Sequence, residues 1–199
     1  MKSNVCTINK GTKDLDAILR ESEKVAVYNE LTHKQALQLR LICEEMDGML
    51  PNIIDEFDGN FWIEFENGVC KVNASIEFDE FSKEKKQNLI NFSKDKKNVA
   101  AVGITGKIRS VVENLFMDEE NLHTYAMFSR TFVAATGGAD SADYNYYWSL
   151  EQYKQNVEKE KQAEAWDELE KSVIASVADD VIVGVKGKRA DIIVVKKFA

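Results

Sequence analysis

Apolar residues take on a helical period soon after the N-terminus. Asn4 to Ile8 reads as a short first strand, and from Asp14, a plausible cap, Leu15, Ile18, Leu19 and Val25 follow at helix-like spacing. Thr32 then stands as the N-cap of a second helix. Its stripe runs through Ala36, Leu37, Leu39, Leu41, Ile42, Met46, Met49, Leu50, Ile53 and Ile54, a face broad enough for a core helix. Pro51 falls inside this run and predicts a kink or break, with the helix ending near Asp58-Gly59.

The period then changes from helical to alternating. Phe61, Ile63 and Phe65 alternate with Trp62 and Glu64, Asn67-Gly68 supplies the positive φ angles of a type I′ turn, and Val69 to Phe78 returns. A helix-prone polar stretch, Ser82 to Lys97, precedes the glycine-bearing segment Val99 to Gly106 and a helix of about Lys107 to Phe116. Asp118 to Leu150 shows no steady period and reads as a loop-rich insertion, held down by Tyr144, Tyr146, Tyr147 and Trp148. Ser149 caps a long helix carrying Val157, Trp166, Leu169, Val173, Ile174 and Val177. A second hairpin closes the chain, with Val181 to Val185, a turn at Gly187-Lys188, and Ala190 to Phe198.

Composition narrows the chemistry. With 199 residues, 44% of them hydrophobic, the chain can bury a full core as one domain. Its net charge of −8 argues against non-specific nucleic-acid binding. No stretch reaches the ~20 apolar residues of a membrane span, and the N-terminus lacks the apolar centre of a signal peptide, so the expected compartment is the cytoplasm. Cys6, Cys43 and Cys70 are odd in number and widely spaced with no Cys-x-x-Cys; Cys43 in an apolar helix pattern and Cys70 in a strand pattern point to buried free thiols, and His33 and His123 leave zinc chemistry without neighbouring ligands. Lys83 to Arg109 carries eight basic against two acidic residues (8 − 2 = +6), a segregation that suits a nucleotide or an acidic partner, or a solvated loop. The adjacent pair Glu44 and Glu45 offers a general base on a core helix; the competing reading pairs one of them with Arg40.

A helix bearing Glu-Glu, then a hairpin, a basic variable segment, a helix and a final hairpin resembles the histidine-kinase-type ATPase fold, and most nearly the anti-sigma-factor serine kinases. The segments that carry the resemblance are Leu37 to Met46, Phe61 to Phe78 and Trp166 to Phe198; with the first strand and helix they span roughly two thirds of the chain. The resemblance implies that Glu44 or Glu45 is the catalytic acid–base group. The family's metal-holding Asn lies four residues further on, where this chain has Gly48 and Met49, so no metal ligand carries over. Asp79 matches the adenine-binding Asp, although no glycine follows it. The phosphate-cradling glycines have two placements. One is Gly103 and Gly106 with Lys107 and Arg109. The other, which hairpin order favours, is the helix around Trp166 to Val177, and it makes residues 81–150 an enlarged lid or insertion.

The resulting expectation is an α+β fold in one domain, residues 1–199, with helices on one face of a mixed or antiparallel sheet. The two hairpins should share that sheet. The implied function is a regulatory, anti-sigma-factor-like protein with lost or weakened ATP binding and no resident cofactor. It would act on a regulatory protein partner, with a homodimer open to it and neither nucleic acid nor membrane as partner. The alternative is an active serine protein kinase using ATP and Mg²⁺.

Overall fold

The computed structural model describes residues 1–10, 15–54, 56–77, 103–117, 146–160, 165–166, 169, 171–186 and 188–198. In chain order the elements are β1 (Cys6–Asn9), α1 (Leu15–Tyr28), α2 (His33–Ile53), β2 (Asp58–Glu66), β3 (Val69–Glu77) and α3 (Gly103–Met117). They continue with β4 (Tyr146–Ser149), α4 (Leu150–Glu160), α5 (Val173–Val177), β5 (Asp180–Lys186) and β6 (Arg189–Lys197). All six strands form one open antiparallel sheet in the order β1-β2-β3-β6-β5-β4. The fold is α+β, and the two hairpins share one sheet as expected, meeting where β3 pairs with β6.

The period-2 pattern decides which face the helices cover. Phe61, Ile63, Cys70, Val72, Ala74, Ile76, Val181, Val183, Val185, Ala190, Ile192 and Val194 form a single buried cluster with apolar residues of α1, α2, α3, α4 and α5. Among the described residues the other face of the sheet carries a small cluster, Ile182 and Val195 with Val69 and Ile193. The described elements therefore form a two-layer sandwich, with the described helices on one face of the sheet. Cys43 and Cys70 are buried free thiols in that core. Burial pushes the Cys70 thiol up to about 12 and Cys43 well above its ordinary value.

Local chemistry sets the element ends. Thr32 caps α2: its hydroxyl accepts from the Gln35 amide at 3.4 Å, and the Gln35 side chain accepts from the Thr32 amide at 2.9 Å, closing a capping box. Helix α2 passes through Pro51 and stops at Ile53, short of the expected Asp58-Gly59; Ile54 is extended. Gly59 instead lies in β2, where a Cβ would stand 2.4 Å from the Ser75 carbonyl oxygen, so only glycine allows that approach. Asn67 and Gly68 take φ of 50° and 78°, the type I′ turn expected of that pair. Helix α1 closes through Glu30, which adopts φ 53°, while the Leu31 amide donates back to the Ala26 carbonyl at 2.9 Å.

One expectation needs correction. The single long helix from Ser149 to Val177 is interrupted: Ser172 is extended (φ −85°, ψ 120°) and caps the short α5 by accepting from the Ala175 amide at 3.3 Å. A side-chain oxygen competing for backbone donors favours a new cap over helix continuation. Parts of the 81–150 region pack against the body. Ile104, Ile108 and Val112 of α3 lie in the main core, and Tyr146 to Ser149 form the edge strand β4 against β5. Trp148 packs on the core beside Tyr153, ring centroids 5.9 Å apart. The helix-prone stretch 82–97 lies outside the described residues.

Replacing Glu30 by Gly should raise stability by about 0.5–1 kcal/mol, because glycine occupies the left-handed region without strain. Gly59→Ala should instead cost about 1–3 kcal/mol by forcing the Ser75 carbonyl away. Urea denaturation midpoints check both.

Candidate functional site

The candidate site starts on α2. Glu44 and Glu45 are both half-buried. Arg40, one turn before Glu44, donates from Nε to the Glu44 carboxylate at 3.0 Å and reaches Glu23 of α1 from Nη1 at 3.3 Å. Glu44 is thus one half of an exposed ion-pair bridge between α1 and α2, the pairing that competed with catalysis. Glu45 makes no hydrogen bond or ion pair among the described residues.

One turn beyond these carboxylates the helix presents two different environments. A Cβ built on Gly48 meets nothing within 4 Å, so that position faces open space. Met49 is buried in the core at 5% exposure. Asn52, one turn past Gly48, folds its amide back to donate to the Gly48 carbonyl at 3.1 Å.

Helix α3 brings the basic residues of the other placement close by. Gly103 opens the helix and Gly106 sits buried within its first turn, so both glycines are helical here. The stripe Ile104, Ile108 and Val112 packs α3 against α2 and β5. That leaves Lys107 and Arg109 at its flanks. The Arg109 Nη1 donates to the Asn52 carbonyl at 3.3 Å, placing a cation at the C-terminal end of α2, where the helix dipole favours it. The Lys107 ammonium lies 4.9 Å from the centre of the Tyr153 ring on α4. The structure therefore joins Arg109 to the α2 end that follows Glu44 and Gly48, whereas Lys107 turns toward α4. Asp79 lies outside the described residues. Among the described residues no group of three or more His, Cys, Asp or Glu is arranged to hold a metal ion.

A second polar cluster escaped the sequence reading. The Ser149 hydroxyl donates to Asp180 (3.0 Å to Oδ1), and the same carboxylate accepts from the Glu151 amide at 3.0 Å and the Val181 amide at 2.8 Å. Burial nevertheless raises the Asp180 pKa above 3.8, outweighing the three donors that oppose it. Lys154 donates to the Ala175 carbonyl at 2.7 Å; burial lowers its pKa, against the pull of Asp180 and Asp179. Ser149 was legible as a helix cap, but its partner sits 31 residues away and carries no local signal. These hydrogen bonds make the cluster a clasp holding α4 and α5 to the start of β5.

Comparison with protein-family models, curated proteins and solved structures found no match. Among the described residues no helix is long and apolar enough to cross a membrane.

The clasp has a definite pH signature. The native carboxyl of Asp180 holds its proton to higher pH than the unfolded chain does, so its contribution to stability falls as pH rises from 3.8 through the raised native pKa. Asp180→Asn keeps an acceptor oxygen and removes that titration. The stability of wild type relative to the variant should therefore decline between about pH 4 and about pH 7. Urea midpoints for both proteins at the two pH values measure it.

Proposed function

We propose that this chain is a cytoplasmic regulatory domain built on a histidine-kinase-type ATPase architecture, acting through protein–protein contact with a weakened nucleotide cleft. The observation that carries the reading is the face of α2 one turn beyond the paired glutamates. There Gly48 has no side chain to offer and Met49 is committed to the core. Magnesium takes oxygen ligands at short range in near-octahedral order, and neither residue supplies an oxygen from its side chain.

The arrangement of the remaining candidates agrees with this. Glu44 is occupied by Arg40, and Arg109 by the α2 carboxyl-terminal carbonyl of Asn52. Lys107 rests on Tyr153. Each holds elements together, and each would have to leave a present partner to serve a phosphate. The reading requires the two hairpins in one sheet, and the order β1-β2-β3-β6-β5-β4 has them there. The alternative, an active serine kinase, would rest on Glu45, whose carboxylate is half-buried and unengaged among the described residues.

Calorimetric titration with Mg²⁺-ATP separates the two readings. The expected result is a dissociation constant weaker than about 100 μM, with no ATP turnover above background and no change in Glu44→Gln/Glu45→Gln. Gly48→Asn should be tolerated, since its side chain enters open space, and Mg²⁺-dependent ATP binding gained by that variant would mark a vestigial site. Met49→Asn should instead lose about 2–5 kcal/mol of stability, by removing a core side chain and burying an amide. Robust turnover by the unmodified protein would overturn the proposal.

A further inference from the structure

We propose that Asn67-Gly68 is a self-modifying site, at which the Gly68 amide and water convert Asn67 to aspartate and isoaspartate, and that the end of the β3–β6 seam gates the reaction. Asn67 is the one asparagine of the sequence that glycine follows. Every other asparagine precedes a residue whose Cβ crowds the attacking nitrogen. Asn67 also lies exposed at the tip of the first hairpin, open to water.

The chemistry balances without a cofactor. Once its proton is lost to solvent, the Gly68 nitrogen attacks Asn67 Cγ. The N–Cγ bond forms, the Cγ–Nδ2 bond breaks, and the nitrogen takes a proton from water to leave as ammonia. Water then opens the five-membered imide at either carbonyl. Cleavage of the new N–Cγ bond gives aspartate. Cleavage of the original peptide bond gives isoaspartate, whose main chain runs through the former side-chain carbons. Nothing is oxidised or reduced.

The fold withholds this chemistry. Asn67 and Gly68 take φ of 50° and 78° in a type I′ turn, where ψ of the first central residue is small and positive. About the Asn67 Cα–C bond the Gly68 nitrogen then stands nearly opposite Cβ, while the imide ring needs the two eclipsed. Rotation to that arrangement displaces Gly68, which Phe198 holds. The Phe198 amide donates to the Gly68 carbonyl at 2.8 Å, and its ring stacks on Phe65 with centroids 6.3 Å apart. Its carbonyl oxygen lies 3.0 Å from where a Cβ on Gly68 would stand. Asn67 therefore reacts from a locally opened turn, released from the seam.

The two products act differently on the hairpin. Aspartate accepts φ above zero and keeps the turn. Isoaspartate inserts a further main-chain atom between Glu66 and Val69, the pair that closes the turn, so the register is not regained and the Phe198 contact is lost. An opening of this corner is thereby recorded irreversibly. The site uses no residue of α2 or α3, so it stands independently of the nucleotide reading.

The test incubates the whole chain at mildly alkaline pH, folded or unfolded in urea, and follows Asn67 by peptide mass spectrometry that distinguishes isoaspartate. Asn67 should react fastest of the asparagines in urea, at a rate that rises with pH. Folding should slow it by the hydrogen-exchange protection factor of the Phe198 amide to within about tenfold, because one opening governs both. Phe198→Pro removes that amide and should speed the folded reaction about fivefold, the change in opening that one hydrogen bond gives. Chain carrying isoaspartate should have a lower urea midpoint than Asn67→Asp, which should stand near wild type. Several outcomes would overturn the proposal. These are an Asn67 no faster than other asparagines in urea, equal rates folded and unfolded, or a slowing further than about tenfold from the Phe198 protection factor. A folded Phe198→Pro with an unchanged rate, or an isoaspartyl chain as stable as Asn67→Asp, would overturn it as well.

Discussion

The pairing of β3 with β6 is the constraint on which the rest of the molecule depends. It runs from Val69 opposite Lys197 to Glu77 opposite Arg189 and joins two hairpins more than a hundred residues apart in sequence. A lone hairpin is marginal in water, because its apolar face is too narrow to repay the ordering of its chain. Joined at this seam, the hairpins make four adjacent strands whose inward rows line up: Ile63–Val72–Val194–Val181 and Phe61–Ala74–Ile192–Val183. Those rows present the surface on which all the helices are buried. β1 and β4 then extend the sheet at its two ends. Phe198 finishes the seam by donating its amide to the Gly68 carbonyl at 2.8 Å and stacking on Phe65.

Polar groups fasten the periphery where apolar burial runs out. At one end Glu21 accepts from the Asn4 amide. Lys24 first, with Asn4, holds its carboxyl below the ordinary value of 4.5 against the effect of burial. At the other end Asp180 gathers Ser149, Glu151 and Val181, but burial dominates and its carboxyl rises. The two anchors therefore respond oppositely to acid. The Glu21 contribution is present above 4.5 and is lost as pH falls through its depressed native value, whereas that of Asp180 is greatest in acid. The difference follows from donor charge: a lysine ammonium stabilises a carboxylate, while neutral amides and a hydroxyl do not offset its desolvation.

Helix α2 divides its residues between the core and a polar margin. One face supplies Leu39, Ile42, Cys43, Met46, Met49, Leu50 and Ile53 to the core. The glutamates lie at the margin of that face, where Arg40 can reach one of them. Gly48 keeps the next turn bare. A substitution at Gly48 is sterically open, whereas one at Met49 is paid for in the core, so the two positions that flank the resembled motif have opposite tolerance.

Much of this fold was legible from short-range pattern. Alternation around Asn67-Gly68 defined the first hairpin, since φ above zero at two successive positions is a local property of those residue types. Thr32 and Ser149 marked helix starts for the same reason: a side-chain oxygen reaches an amide three residues on. Buried thiols at Cys43 and Cys70 followed from the apolar settings of those positions. What depended on distant partners was not legible. Glu30 gives no sign in sequence that it will adopt a left-handed angle, Gly59 is required by the Ser75 carbonyl of the neighbouring strand, and Tyr146 to Ser149 become a strand only because β5 offers an edge. The glutamates were equally visible as candidates, but Arg40, Glu23 and the open space at Gly48 decided their surroundings. Local sequence determines what a backbone prefers within a few residues; tertiary contact decides which side chains face one another, because that depends on pairings the chain makes only after it has folded back on itself.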